Sequence, residues 1–151
     1  MYFSDLSNYS YYLKTPVNEA WNIGWLEEGK SYVTGNIEND FLSKLASIIV
    51  GNNIVNVHVN QIRGVHPCAL SGCDNLEVEI GNRKIAVGSS EIWVPSKNPG
   101  QYFASPSMIL HYMKAHHYLP PKEFISAVMS FDLSKPFNAQ DVYLEVIKGH
   151  F

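Results

Sequence analysis

The period of the apolar residues changes abruptly at Gly51, and no other feature of the chain constrains its fold as much. Before it, Phe41, Leu42, Leu45, Ile48 and Ile49 recur at helical spacing. Asn39 suits an N-cap and Asp40 complements the helix dipole, so the spacing predicts a helix over about 40–50. Gly51-Asn52-Asn53 stops it. After it, Val55, Val57 and Val59 alternate with Ile54, Asn56 and His58, the period of a half-buried strand.

The same alternation returns in Leu76, Val78 and Ile80 against Glu77 and Glu79. Gly81-Asn82 then marks a hairpin turn, and residues 83–87 form the returning strand. Residues 91–94 are read as extending this meander, and Tyr102-Phe103 as one more short strand. Ser105-Pro106 suits an N-cap followed by a first helical position, which predicts a second helix to about His117. Its inner stripe is Ile109, Leu110 and Met113, with His117 as a possible addition. Pro120-Pro121 opens a third helix to about Met129, burying Phe124, Ile125 and Val128. Residues 142–147 fit either an edge strand or a short helix capped by Asp141. The first thirty residues show little periodicity and are read as irregular segments whose aromatics cover a core made elsewhere.

Strands and helices are thus segregated along the chain. That favours an α+β fold, an antiparallel sheet of about four to six strands with two or three helices on one side. A length of 151 residues fits a single domain over 1–151. With 46% hydrophobic and 17% charged residues, the chain can bury a substantial core. The net charge of −3 and the scattered Lys and Arg residues argue against nucleic acid as a partner. Met1 to Tyr12 lacks a basic segment ahead of an apolar run, and the longest apolar stretch near a helix, 45–50, is too short to span a bilayer. Together with only two cysteines, this leads us to expect a cytoplasmic protein with no membrane partner.

The chemically pointed segment runs from Arg63 to Cys73 and reads Arg-Gly-Val-His-Pro-Cys-Ala-Leu-Ser-Gly-Cys. Cys and His are the preferred zinc ligands, and Cys-x4-Cys lies within the spacing of a structural zinc loop. The candidate metal ligands are His66, Cys68, Cys73 and His116, with His111 or His117 as alternatives on the second helix. His111 and His116 lie five apart and share a helix face poorly, so ordinary histidines compete with ligands there. Two plain thiols compete in the same way with a metal at Cys68 and Cys73. Arg63, Glu91, Tyr102, His111 and Tyr112 are candidate binding residues, with Arg63 and Glu91 conceivable as partners in a polar cleft. No phosphate loop, nucleophile elbow or dinucleotide fingerprint is present in the sequence, so no catalytic set is expected.

Several stretches taken together resemble a family of small bacterial proteins of unknown function. They are Met1-Tyr2-Phe3 with Asp5-Leu6, Asn22-Ile23-Gly24-Trp25-Leu26, Arg63-Gly64-Val65-His66-Pro67-Cys68 and Gly88-Ser89-Ser90-Glu91-Ile92. The likeness continues with Ala104-Ser105-Pro106, His111-Tyr112, His116 and residues 118–125, and covers about 1–128. In that family the loop reads Arg-Gly-aromatic-His-x-Cys-x-x-Cys. Here Val65 replaces the aromatic residue and the cysteines are further apart. Proteins of this size and type resemble the stand-alone partners of bacterial toxins.

Two functions are expected from these features. The first is a non-catalytic protein-binding role, most concretely an immunity protein that covers a toxin domain with Tyr, Trp and acidic contacts. The other is a small zinc-binding protein or hydrolase built on the His66/Cys68/Cys73 loop.

Overall fold

A computed structural model describes residues 1–70 and 77–150. Its centre is strand β6 (Glu91–Pro95), which pairs antiparallel with β7 (Tyr102–Pro106) and with β3 (His58–Val59). Strand β1 (Ala20–Asn22) joins the outer edge of β7 in parallel, so the sheet order is β1-β7-β6-β3. Among the described residues the fold is α+β, with one mixed, mainly antiparallel sheet, two short ribbons and four helices.

Strand β6 carries apolar side chains at successive positions, which is the pattern of a strand covered on both faces. Ile92 and Val94 point into the larger core with α1 (Asn39–Val50), α2 (Ile109–His116) and α3 (Lys122–Ser130). There Phe124 meets Phe103 and Phe41 edge to face at 5.8 and 6.3 Å. Trp93 points the other way, into a second core with α4 (Ala139–Val146) and the N-terminal segment. Its ring meets Tyr9 at 5.1 Å and Tyr143 at 5.4 Å. The expectation of two or three helices on one side is therefore corrected. A fourth helix packs on the opposite face, because Trp93 needs its own cover.

Helix α1 begins at Asn39 itself, and Glu38 holds the cap position without a side-chain bond. The helix ends at Gly51, as the sequence suggests. The alternation over 54–59 is present, with Val55, Val57 and Val59 buried, but the strand is broken at Val57. The Asn56 side chain accepts from the His58 N–H at 2.9 Å and turns the chain. Strand β2 (Val55–Asn56) then pairs in parallel with β8 (Phe137–Asn138), while β3 joins the central sheet.

Strands β4 (Glu77–Ile80) and β5 (Arg83–Ala86) form the expected hairpin across Gly81-Asn82. They stand apart from β6, so the meander does not continue; Val78, Ile80 and Ile85 pack instead with α1 and α2. Ser105-Pro106 belongs to the end of β7, not to a helix start, because Ser105 is paired with Ile92 in the sheet. Helix α2 opens after two intervening residues, with Met108 at its cap position. His117 ends that helix in the left-handed region and is exposed, so it is not part of the inner stripe. The tail resolves in favour of a helix, capped by Asn138 rather than Asp141, whose N–H donates to the Asn138 side chain at 3.1 Å.

Gly51 has φ +69°, and a Cβ there would lie 2.5 Å from the Val55 carbonyl oxygen. Gly51→Ala is therefore expected to lower stability by about 1–3 kcal/mol, while Gly64→Ala, which meets open space, changes it by less than about 0.5 kcal/mol. Denaturant titration of the two variants checks this.

Candidate functional site

The loop after β3 is laid against residues 88 and 89 by backbone bonds. Ile62 N–H donates to the Ser89 carbonyl at 2.8 Å and His66 N–H to the Gly88 carbonyl at 2.7 Å. Gly88 permits this approach. Its φ is +96°, and a Cβ would sit 2.6 Å from Val65 Cγ1 and 2.7 Å from the His66 carbonyl oxygen. Further on, Ala69 N–H donates to the Tyr112 hydroxyl at 3.1 Å, and the Ala69 carbonyl accepts from Glu28 N–H at 3.2 Å. The loop is thereby held between α2 and the segment after Trp25.

This places Cys68 beside two histidines of α2. One ligand atom each of Cys68, His111 and His116 lies within 4.8 Å of the others. Cys68 Sγ and His116 Nε2 are 3.5 Å apart, close to the roughly 3.6 Å edge of a tetrahedron with ordinary zinc–sulfur and zinc–nitrogen bonds. The rings of His111 and His116 have centroids 5.1 Å apart. Side chains on a helix lean toward its N-terminus, so His116 in the last turn reaches back toward His111. The two meet despite a spacing of five, contrary to the expectation that they share a face poorly. His111 is buried, and its Nε2 has no hydrogen-bond partner among the described residues. Burial, and then the neighbouring His116, push its pKa below the ordinary imidazole value, which favours the neutral, ligating form.

The other candidate ligands are placed differently. His66 is exposed and lies outside this group, its backbone tied to Gly88. Cys73 lies outside the described residues.

Cys68 and Tyr112 also line a pocket of about 300 Å³, whose walls include Tyr11, Tyr12, Trp25 and Glu91. Glu91 is buried where β6 begins. The Tyr9 hydroxyl donates to Oε1 at 2.6 Å and the Asn60 side-chain amide to Oε2 at 2.7 Å. Asn60 itself has φ +52°, a conformation asparagine tolerates, and its N–H is anchored to the Gln140 side chain of α4. Burial pushes the Glu91 carboxyl above its ordinary range, and the bonds from Asn60 and Tyr9 pull it back only in part. The Tyr11 phenol is pushed up to about 12 by burial, by its neighbour Tyr12 and by the Glu91 charge.

Next to Glu91, Ser90 and His58 tie three elements together. His58 Nε2–H donates to the Ile49 carbonyl at 2.7 Å, which leaves Nδ1 to accept from the Ser90 hydroxyl at 2.6 Å. The bonds join the end of α1, β3 and the start of β6.

Of the remaining candidates, Arg63 is exposed and forms no ion pair with Glu91, whose partners are Tyr9 and Asn60. Tyr102 stacks on Phe137 with centroids 6.4 Å apart, away from the pocket lining. Among the residues that sequence reasoning passed over are Asn60, Tyr11 and Tyr12. A carboxylate at the head of an otherwise apolar run was the signal for a buried Glu91.

The molecule is thus an α+β protein with a Cys–His–His cluster whose cysteine lines a pocket. It belongs to the family defined by a domain of unknown function, DUF7919, whose model matches residues 1–129. No curated protein and no solved structure matches the chain. Among the described residues, no helix is long and apolar enough to cross a membrane.

The folded state holds the Glu91 proton more tightly than the unfolded chain does. Stability from this group therefore falls as pH rises from the ordinary glutamate range through the raised folded value. Glu91→Gln removes the effect. Its stability relative to the native chain should increase with pH across that window, and a difference that stays constant in denaturation at several pH values would contradict the assignment.

Proposed function

We propose that this protein binds a zinc ion through Cys68, His111 and His116, and that the metal holds the loop to α2 as one wall of the pocket. The observation that carries the reading is the convergence of three ligand atoms within 4.8 Å around a buried imidazole. An imidazole nitrogen shut away from water without a partner is costly, and a metal bond removes that cost. A thiolate and two neutral imidazoles form a donor set suited to zinc. Cys73 is the sequence-based choice for a fourth ligand.

Metal analysis of protein purified without chelator is expected to give close to one zinc per chain. Cys68→Ala, His111→Ala and His116→Ala should each bring it below about a tenth of an equivalent, while His66→Ala leaves it unchanged. Chelation of the native protein should lower its unfolding midpoint. Absence of zinc from the native chain, in protein that also fails to take up added zinc, rejects the reading.

A second reading, a protein-binding role with a toxin domain as partner, rests on a different observation. Met1 and Tyr12 in the pocket lining are 65% and 63% exposed, and Val65 and Ile62 on the adjoining loop are exposed as well. Apolar side chains around a pocket mouth are suited to a protein contact. If the partner is a toxin encoded beside this gene, co-expression should protect cells and the two chains should co-purify; failure of both counts against it.

A further inference from the structure

The pocket beside the Cys68–His111–His116 cluster contains a second piece of chemistry, which does not depend on a metal. Glu91 is only 6% exposed, yet the groups that compensate it, Tyr9 and Asn60 by hydrogen bonds and the Trp93 indole nearby, are all neutral donors. Among the described residues no lysine, arginine or histidine is paired with it. Met1, which shares the lining, has its ammonium on Glu27 at 3.4 Å, and His66 at the rim is exposed. A buried carboxylate is ordinarily compensated by a cation or neutralised by a proton, and a bound cation would hold Glu91 in the charged form. A carboxylate also offers about four acceptor positions, of which two are occupied here.

Three aromatic residues, Tyr11, Tyr12 and Trp25, share the lining with this carboxylate. Tyr11 and Tyr12 meet edge to face with ring centroids 4.0 Å apart, and Tyr11 and Trp25 are 5.2 Å apart, so the three rings form one contiguous cluster. The faces of such rings attract cations, tryptophan most strongly. The upward shift of the Tyr11 phenol includes a contribution from the Glu91 charge, which places the two within electrostatic reach. Leu26, Pro67, Ala69 and Met108 add apolar surface to the lining, and Asn60, Ser90 and His66 are further polar members of it. A volume of about 300 Å³ suits a small head group on a short hydrocarbon stem.

We propose that this pocket binds an organic cation, an alkylammonium or guanidinium group seated on the Glu91 carboxylate between Tyr11, Tyr12 and Trp25. An anion would be repelled by the carboxylate, and a neutral ligand would leave it without a counter-charge. The cation has two possible sources, a free small molecule or a Lys or Arg side chain presented by another protein. The chemistry of recognition is the same for both.

The test is calorimetric titration of the purified full chain, with its zinc content measured in the same sample. The cationic probes are agmatine, butylammonium, choline and a capped Gly-Arg-Gly peptide. Butyrate and butanol serve as controls. At least one cation is expected to bind saturably, with no saturable binding of either control. Glu91→Gln should weaken binding on the order of tenfold or more, since it removes a charge-assisted contact. Tyr12 is exposed, so its replacement leaves the fold intact. Tyr12→Ala should weaken binding about two- to fivefold, and Tyr12→Phe, which retains the ring face, should preserve it. Tighter binding of the peptide than of agmatine assigns the site to a partner's side chain, and the reverse order to a free ligand. The proposal is overturned if no cation saturates the site up to about 10 mM. It is also overturned if butanol binds as well as butylammonium, or if folded Glu91→Gln and Tyr12→Ala both bind like the native chain. Cation binding by a chain that neither carries zinc nor takes up added zinc would remove the metal reading and leave this one standing.

Discussion

Strand β6 is apolar on both faces, and a strand of that kind has to be covered twice. Ile92 and Val94 are met by three helices, while Trp93 is met by α4 and by Tyr9 from the N-terminal segment. The first twenty residues, which have little regular structure, are held because Trp93 needs apolar neighbours and Glu91 needs the Tyr9 hydroxyl. The tail is held for the same reason, through Tyr143. Without a doubly buried central strand, neither end of the chain would have a surface to pack on.

The start of that strand is also where the chemistry gathers. Glu91 lies at the boundary between the apolar sheet and the pocket, and the loop with Cys68 runs alongside Gly88 and Ser89 just before it. Tyr112 links the two features, since its hydroxyl accepts from Ala69 next to Cys68 and it lines the same pocket as Cys68 and Glu91. Metal binding at Cys68, His111 and His116 would therefore stiffen one wall of the cation pocket without contributing charge to its floor. The two proposed sites share a wall and differ in their chemistry.

Local patterns were legible wherever a segment's own periodicity decided its structure. The α1 helix with its Gly51 stop, the Gly81-Asn82 hairpin and the third helix all agree with the spacing of their apolar residues. Ser105-Pro106 misled because a good helix start was outweighed by pairing with Ile92 in the sheet. At the site, the Cys68 and His116 residue types pointed to a metal from the sequence. The pairing of His111 with His116 did not, because a wheel of helix positions ignores the length and backward lean of an imidazole side chain. His66 drew attention through its nearness to Cys68 along the chain, but the loop turns its backbone to Gly88 instead.

The sequence by itself determined the α+β class and most of the helices and strands, and it singled out a few Cys and His residues as candidate ligands. Those features depend on local spacing and on residue chemistry. Which strands pair with which, that helices cover both faces, and that His111 joins Cys68 and His116 were decided only by the tertiary structure. So was the isolation of Glu91 from any cation among the described residues. Each of these depends on contacts between segments far apart in the chain, and in this chain local spacing did not register them. The abrupt change of period at Gly51 shows the division well. It announces a helix followed by a strand, but the break at Val57, which sends the two halves of that strand to different sheets, depends on β6 and β8 being there to receive them.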